Sequence, residues 1–207
     1  MTARPTPLFP LAGAILLPGM SLPLHIFEPR YRAMVGHALA TDRRIGMVQP
    51  RDAEAKVARP ALYDVGGIGR IADVEALEDG RYNILLEGEG LFRIARELDV
   101  TTPFRQAQVE MIGAGDETPL APAARAALED EAKRFTIWLG YRVDWDGVAQ
   151  LDDASFVNAI AQVAPFDLAV KQALLEAPGM AARAELEMQM MRFMTSRRDG
   201  GDRVTLQ

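Results

Sequence analysis

Two short apolar runs, residues 8–11 and 22–27, flank a loop that holds Pro18 and Gly19. Further along, residues 82–88 alternate: Tyr82, Ile84 and Leu86 share one face while Asn83 and Glu87 fall on the other. A period of two marks a half-buried strand. Asp79-Gly80 just before it predicts a hairpin turn, because that pair tolerates positive φ. Gly88-Glu89-Gly90 reads as the next turn and residues 91–98 as the next strand. Residues 68–74 pair upstream of the hairpin. Residues 105–111 close the set, with Ala107, Val109 and Met111 alternating against Gln106, Gln108 and Glu110, and residues 45–49 are a shorter candidate. One helix interrupts these strands, over residues 29–40. Pro29 suits a first helical position, since its φ is preset and its missing N–H would be unpaired there. Glu28 adds a negative charge beside that turn's free N–H groups. Short strands joined by Gly-rich turns around one helix predict a closed or half-closed barrel.

The pattern changes after Gly113-Ala114-Gly115 and Thr118-Pro119. Leu128, Ala132, Phe135 and Trp138-Leu139 recur at helical spacing. A second helix is expected over 152–163, entered from an acidic cap at Asp152-Asp153. Pro165-Phe166-Asp167 separates it from a third over 168–177, and Pro178-Gly179 from a fourth over 180–198. The expected organisation is therefore α+β: a strand-rich domain over 1–115, a four-helix subdomain over 116–199, and a disordered tail over 200–207.

Charge and composition narrow the function classes. The 207 residues carry a formal charge of −6, and most of the acidic excess falls after residue 115. Nucleic acid is usually met by a clustered basic face; Arg43-Arg44 and Arg197-Arg198 are only pairs, so no nucleic-acid partner is expected. Cysteine is absent, which removes disulfides, thiolate catalysis and thiolate metal sites. His25 and His37 lack the flanking carboxylates of a metal motif. Gly67-x-Gly69 has Ala72 at the third fingerprint position and reads on as a strand, and no phosphate-binding loop occurs. No cofactor is expected. Ser21, Ser155 and Ser196, with Lys56, Lys133 and Lys171, form no local nucleophile–base motif. The apolar stretch 11–17 is broken by Gly13 and flanked by prolines, unlike a signal-peptide core. No run approaches the roughly 18 apolar residues that would span a bilayer. A cytoplasmic location without membrane attachment is expected.

Two blocks of sequence carry a resemblance. Leu8-Phe9-Pro10-Leu11, Pro18 and Leu24-His25-Ile26-Phe27-Glu28-Pro29-Arg30-Tyr31 form the first. Gly67-Ile68-Gly69-Arg70-Ile71, then Asp79-Gly80-Arg81-Tyr82-Asn83-Ile84-Leu85-Leu86-Glu87-Gly88, then Phe92-Arg93-Ile94 form the second. In order and spacing both resemble the Lon N-terminal domain family, over roughly residues 7–112. The helical remainder resembles it at the level of pattern. That family is the substrate-binding region of the ATP-dependent Lon protease and also occurs free-standing. The resemblance implies a PUA-like pseudo-barrel followed by a helical bundle, and a non-catalytic role in protein quality control. It covers neither the ATPase nor the Ser–Lys peptidase unit of the full protease. The implied partners are unfolded or tagged polypeptides and a protease that the domain feeds or regulates.

Capture of unrelated polypeptides needs apolar contact without fixed polar complementarity. Met188, Met191 and Met194 on the last helix meet that need, because methionine adapts in shape. Pro23, His25 and Phe27, alternating on one strand face, are a second candidate surface. The competing reading is an uncharacterised hydrolase or small-ligand protein with its site in an interdomain cleft.

Overall fold

The computed structural model describes residues 5–54, 57, 59–113 and 115–199. The expected tail over 200–207 lies outside the described residues. Six strands and six helices follow in chain order. They are β1 (Thr6–Pro10), β2 (Ser21–Ile26), α1 (Pro29–Leu39), β3 (Arg44–Val48), β4 (Val65–Ala76), β5 (Tyr82–Glu97) and β6 (Arg105–Ile112), then α2 (Pro122–Leu139), α3 (Trp145–Val148), α4 (Asp153–Val163), α5 (Leu168–Leu175) and α6 (Met180–Asp199). The chain divides into two compact units. One holds residues up to 114 together with Asp167–Glu176, and the other holds the remaining helices.

In the first unit the strands run β2-β5-β4-β3-β1-β6, and β6 pairs again with β5. The pairing is therefore a closed circuit of five strands, with β2 added alongside the first half of β5. All pairs are antiparallel except β1 with β3. Register shifts at Ile68/Gly69, Ile71/Asp73 and Ile94/Arg96 bend the two long strands enough to close it. The expected Asp-Gly hairpin is present: Gly80 sits at φ +80, and its N–H donates to the Leu77 carbonyl.

The expected turn at Gly88-Glu89-Gly90 is not present. β5 passes straight through it. Gly88, like Gly67 on β4, serves close approach rather than reversal. A Cβ at Gly88 would collide with the Leu17 carbonyl, and one at Gly67 with the Leu16 carbonyl. The segment Ile15-Leu16-Leu17 crosses the sheet here, fully buried, and the backbone of residues 19–20 bonds to Gly88 in both directions. Helix α1 contributes Tyr31, Met34, Val35 and Ala38, one face at helical spacing. They pack with Phe9, Leu16, Ile45, Met47, Ile71 and Leu86 in the main core. The next residues along β1 and β3, Leu8 and Val48, turn instead into a smaller cluster around Phe92.

Helix α5 belongs to this first unit, although its spacing in the sequence places it among the other helices. Two buried amides hold it. Gln49 Nε2 donates to the Leu168 carbonyl (3.1 Å) and to Gln172 Oε1 (3.0 Å), and its Oε1 accepts from Gly13 N–H (3.0 Å). Gln172 Nε2 donates to the Val65 carbonyl and to Glu176. Each amide thus uses both donor hydrogens and its oxygen, which removes the cost of burying them.

In the second unit, α2, α4 and α6 are tied by charged groups. Arg125 donates to Asp153 (2.9 Å), Arg183 to the Asn158 side chain (2.8 Å), and Arg192 on α6 to Glu131 on α2 (2.8 Å). Asp152 caps α4 by accepting from Ser155 N–H (2.7 Å), while Asp153 holds Arg125 and the Leu120 N–H. The short helix α3, capped by Asp144, has no counterpart in the sequence pattern because one turn carries no periodicity.

Candidate functional site

Pro23 and His25 lie on one exposed face of β2, as strand alternation requires, and Phe27, the residue after the strand ends, is exposed beside them. The His25 and Phe27 rings stack with centroids 6.2 Å apart, and Phe27 is 61% exposed. A polar ladder crosses three strands beside them. Asn83 Nδ2 donates to Glu75 (2.7 Å), so Asn83 Oδ1 accepts from His25 Nδ1 (2.7 Å). His25 Nε2 therefore accepts from Arg81 (3.1 Å), which also holds Asp79 (2.6 Å). Directional polar bonds border this strip and limit indiscriminate apolar capture there. His37 lies on α1 with its ring 5.4 Å from that of Phe104. Among the described residues no group of three or more His, Asp or Glu side chains could hold a metal ion.

The methionines of α6 separate. Met191 is buried, while Met188 and Met194 are half-buried. Met188 lines a shallow depression beside Leu120, Ala184 and Arg192. Met191 instead forms part of the floor of an apolar groove within the second unit, a volume of about 200 Å³.

That groove follows from how the helices end. Gly140, at φ +75, stops α2; its N–H and that of Tyr141 return to the Ile137 and Thr136 carbonyls. The chain then swings Tyr141 and Val143 to the rim before Asp144 starts α3 and Asp152 starts α4. Phe135, Phe156 and Met191 close the floor, while Tyr141, Leu151 and Val163 stand exposed at the edge. The Thr136 hydroxyl is already bonded to the Lys133 carbonyl. The groove thus offers a mainly apolar surface. No motif announces it, because each lining residue reads as ordinary helix core or loop.

Glu131 sets the electrostatics nearby. Burial pushes its carboxyl up, but hydrogen bonds from Arg134 (2.7 Å) and Arg192 (2.8 Å) outweigh burial, and the net shift is downward. A carboxylate lowered in the folded state stabilises fully above its unfolded pKa and loses that contribution as pH falls through the folded value. The second unit should therefore weaken on acidification below the ordinary carboxylate range. The stability gap between wild type and Glu131→Gln, measured by denaturant unfolding from pH 7 to pH 3, should narrow as pH falls. A constant gap would contradict this.

Comparison with known proteins places these features in a family. The family model for the ATP-dependent protease La (LON) substrate-binding domain matches residues 5–192. The chain is 30% identical to Lon protease 1 of Syntrophobacter fumaroxidans over 186 residues, covering 86% of this chain and 22% of that protein. It is 28% identical to the Lon protease of Haemophilus influenzae over 197 residues, covering 92% and 24%. The chain thus spans about a quarter of the length of these curated relatives. A solved Lon N-terminal domain protein from Xanthomonas campestris aligns with TM-score 0.65 at 22% identity, covering 92% of this chain and 99% of that one. The N-terminal domain of Mycobacterium avium complex Lon protease aligns with TM-score 0.66 at 19% identity, covering 91% and 98%. No helix among the described residues is long and apolar enough to cross a membrane.

Proposed function

The chain belongs to the LON substrate-binding domain family, and from that premise we propose that it is a non-catalytic module that binds unfolded or tagged polypeptides. The apolar groove of the second unit is its docking surface, and a protease that it feeds or regulates is its partner. Its setting in this reading is the cytoplasm. The closed strand circuit is a PUA-like pseudo-barrel that acts as scaffold, and the remaining helices form the bundle that carries the groove.

The observation behind this is the exposed rim of Tyr141, Leu151 and Val163 above a floor of Phe135, Phe156 and Met191. Large apolar side chains gathered at a concavity favour any partner that buries them. A surface with few unmet donors or acceptors sets little sequence requirement. Met191 supplies polarizable, shape-adapting contact at the base. Met188 and Met194 extend apolar surface along α6, and the Pro23–His25–Phe27 strip is a secondary contact in the first unit.

Val163→Glu tests this. Val163 is 73% exposed, so the change costs the fold little, yet it sets a charge at the groove edge. Binding of a reduced, carboxymethylated model protein should weaken at least about tenfold, the effect of roughly 1.4 kcal/mol, with the melting temperature nearly unchanged. Undiminished binding would refute the groove as the docking surface.

A further inference from the structure

The first unit holds a cavity of about 400 Å³, walled by the end of β1, the start of α1, the stretch before β4 and the turn before β6. Leu11, Tyr31 and Phe104 give it apolar walls. Arg30, Arg59 and Arg105 also line it, and among the described residues none of the lining side chains is acidic. In a chain of formal charge −6 this is a local inversion of sign. The guanidinia are held in place. Arg30 lies 4.5 Å over the Tyr31 ring and pairs with Glu28 at 2.8 Å. Arg105, with a side chain only 13% exposed, is bonded to Glu97 and donates to the Pro60 carbonyl (2.7 Å). Arg59 reaches the same Glu97 at 3.6 Å. One carboxylate, Glu97, thus serves two of the three guanidinia that line the cavity. Burial pushes the Tyr31 phenol up; the Arg30 charge opposes that shift, the Glu28 carboxylate adds to it, and Arg105 opposes it more weakly.

We propose that this cavity binds the C-terminal residue of a polypeptide. Its α-carboxylate would lie among Arg30, Arg59 and Arg105, and its apolar side chain against Tyr31 and Phe104. Planar guanidinia match a carboxylate in shape and charge. The apolar part of the wall disfavours a charged side chain at the terminal position. This site adds recognition of chain ends to the proposed function and stands whether or not the groove of the second unit binds.

The test uses the full chain and three probes followed by fluorescence anisotropy and competition. They are a labelled hexapeptide ending in phenylalanine with a free carboxylate, the same peptide as its C-terminal amide, and N-acetylphenylalanine. The free-acid peptide should bind at least about tenfold more tightly than the amide, as expected for a charge-assisted hydrogen bond, and its affinity should fall with added salt. Arg59→Gln, at an exposed side chain, should weaken the acid and leave the amide unchanged. Val163→Glu should leave this titration unchanged, which separates it from the groove. Equal binding of acid and amide, or no binding of the acid, would overturn the proposal. N-acetylphenylalanine binding as tightly as the peptide would assign the cavity to a small organic acid and overturn the chain-end assignment.

Discussion

Gly67→Val will destabilise the first unit by about 3 kcal/mol or more, whereas Gly36→Ala will stabilise it by up to about 1 kcal/mol. Both exchange a glycine for a larger residue, and surroundings alone decide the sign. At Gly67 any Cβ meets the Leu16 carbonyl, which is backbone and cannot rotate away. Relief would require lifting the buried Ile15-Leu16-Leu17 segment off the sheet and opening the core beneath it. At Gly36, in the middle of α1, a Cβ meets nothing within 4 Å, and alanine removes freedom from the unfolded chain. Denaturant unfolding of both variants checks the contrast. A small effect at Gly67 would mean that residues 15–17 are not seated as described.

Tyr31→Ala should cost about 3 to 5 kcal/mol, as for other large aromatic truncations in a core. Its ring is buried, lies 4.4 Å from the Phe9 ring centroid, and has the Arg30 guanidinium 4.5 Å over it. The hydroxyl contributes little, since it is 3.5 Å from the Pro10 carbonyl, so Tyr31→Phe should stay within about 1 kcal/mol. Arg30→Ala should also stay within about 1 kcal/mol, because its ion pair with Glu28 is exposed. The Glu28-Pro29-Arg30-Tyr31 corner is thus mainly structural through its tyrosine. Thermal unfolding ranks the three variants. A Tyr31→Ala protein as stable as wild type would reverse that reading.

What the sequence made legible were features that local physics decides alone. Strand alternation placed Pro23 and His25 on one exposed face, Pro29 opened α1, and Asp152 capped α4. Gly88 reads as a turn in the sequence because glycine punctuates a chain in the same way whether it reverses or another segment crosses it. The crossing partner, Leu17, is remote in sequence. Helix α5 itself is legible between its two breaks, but its place in the first unit and its holding amides, Gln49 and Gln172, carry no local signal, since a buried glutamine is defined by partners more than a hundred residues distant. Met188 and Met191 lie one turn apart on α6, yet open onto different depressions, because packing neighbours rather than helical period decide burial. The groove combines four segments whose residues are individually unremarkable.

The claim that the second unit captures polypeptides in its apolar groove is tested most directly by amide chemical-shift mapping. A reduced, carboxymethylated protein is titrated into the isotope-labelled chain. The predicted result is a contiguous set of shifts at Tyr141, Val143, Leu151 and Val163, with movement of the Met191 methyl. Shifts confined to other surfaces, or none at saturating concentrations, would contradict it.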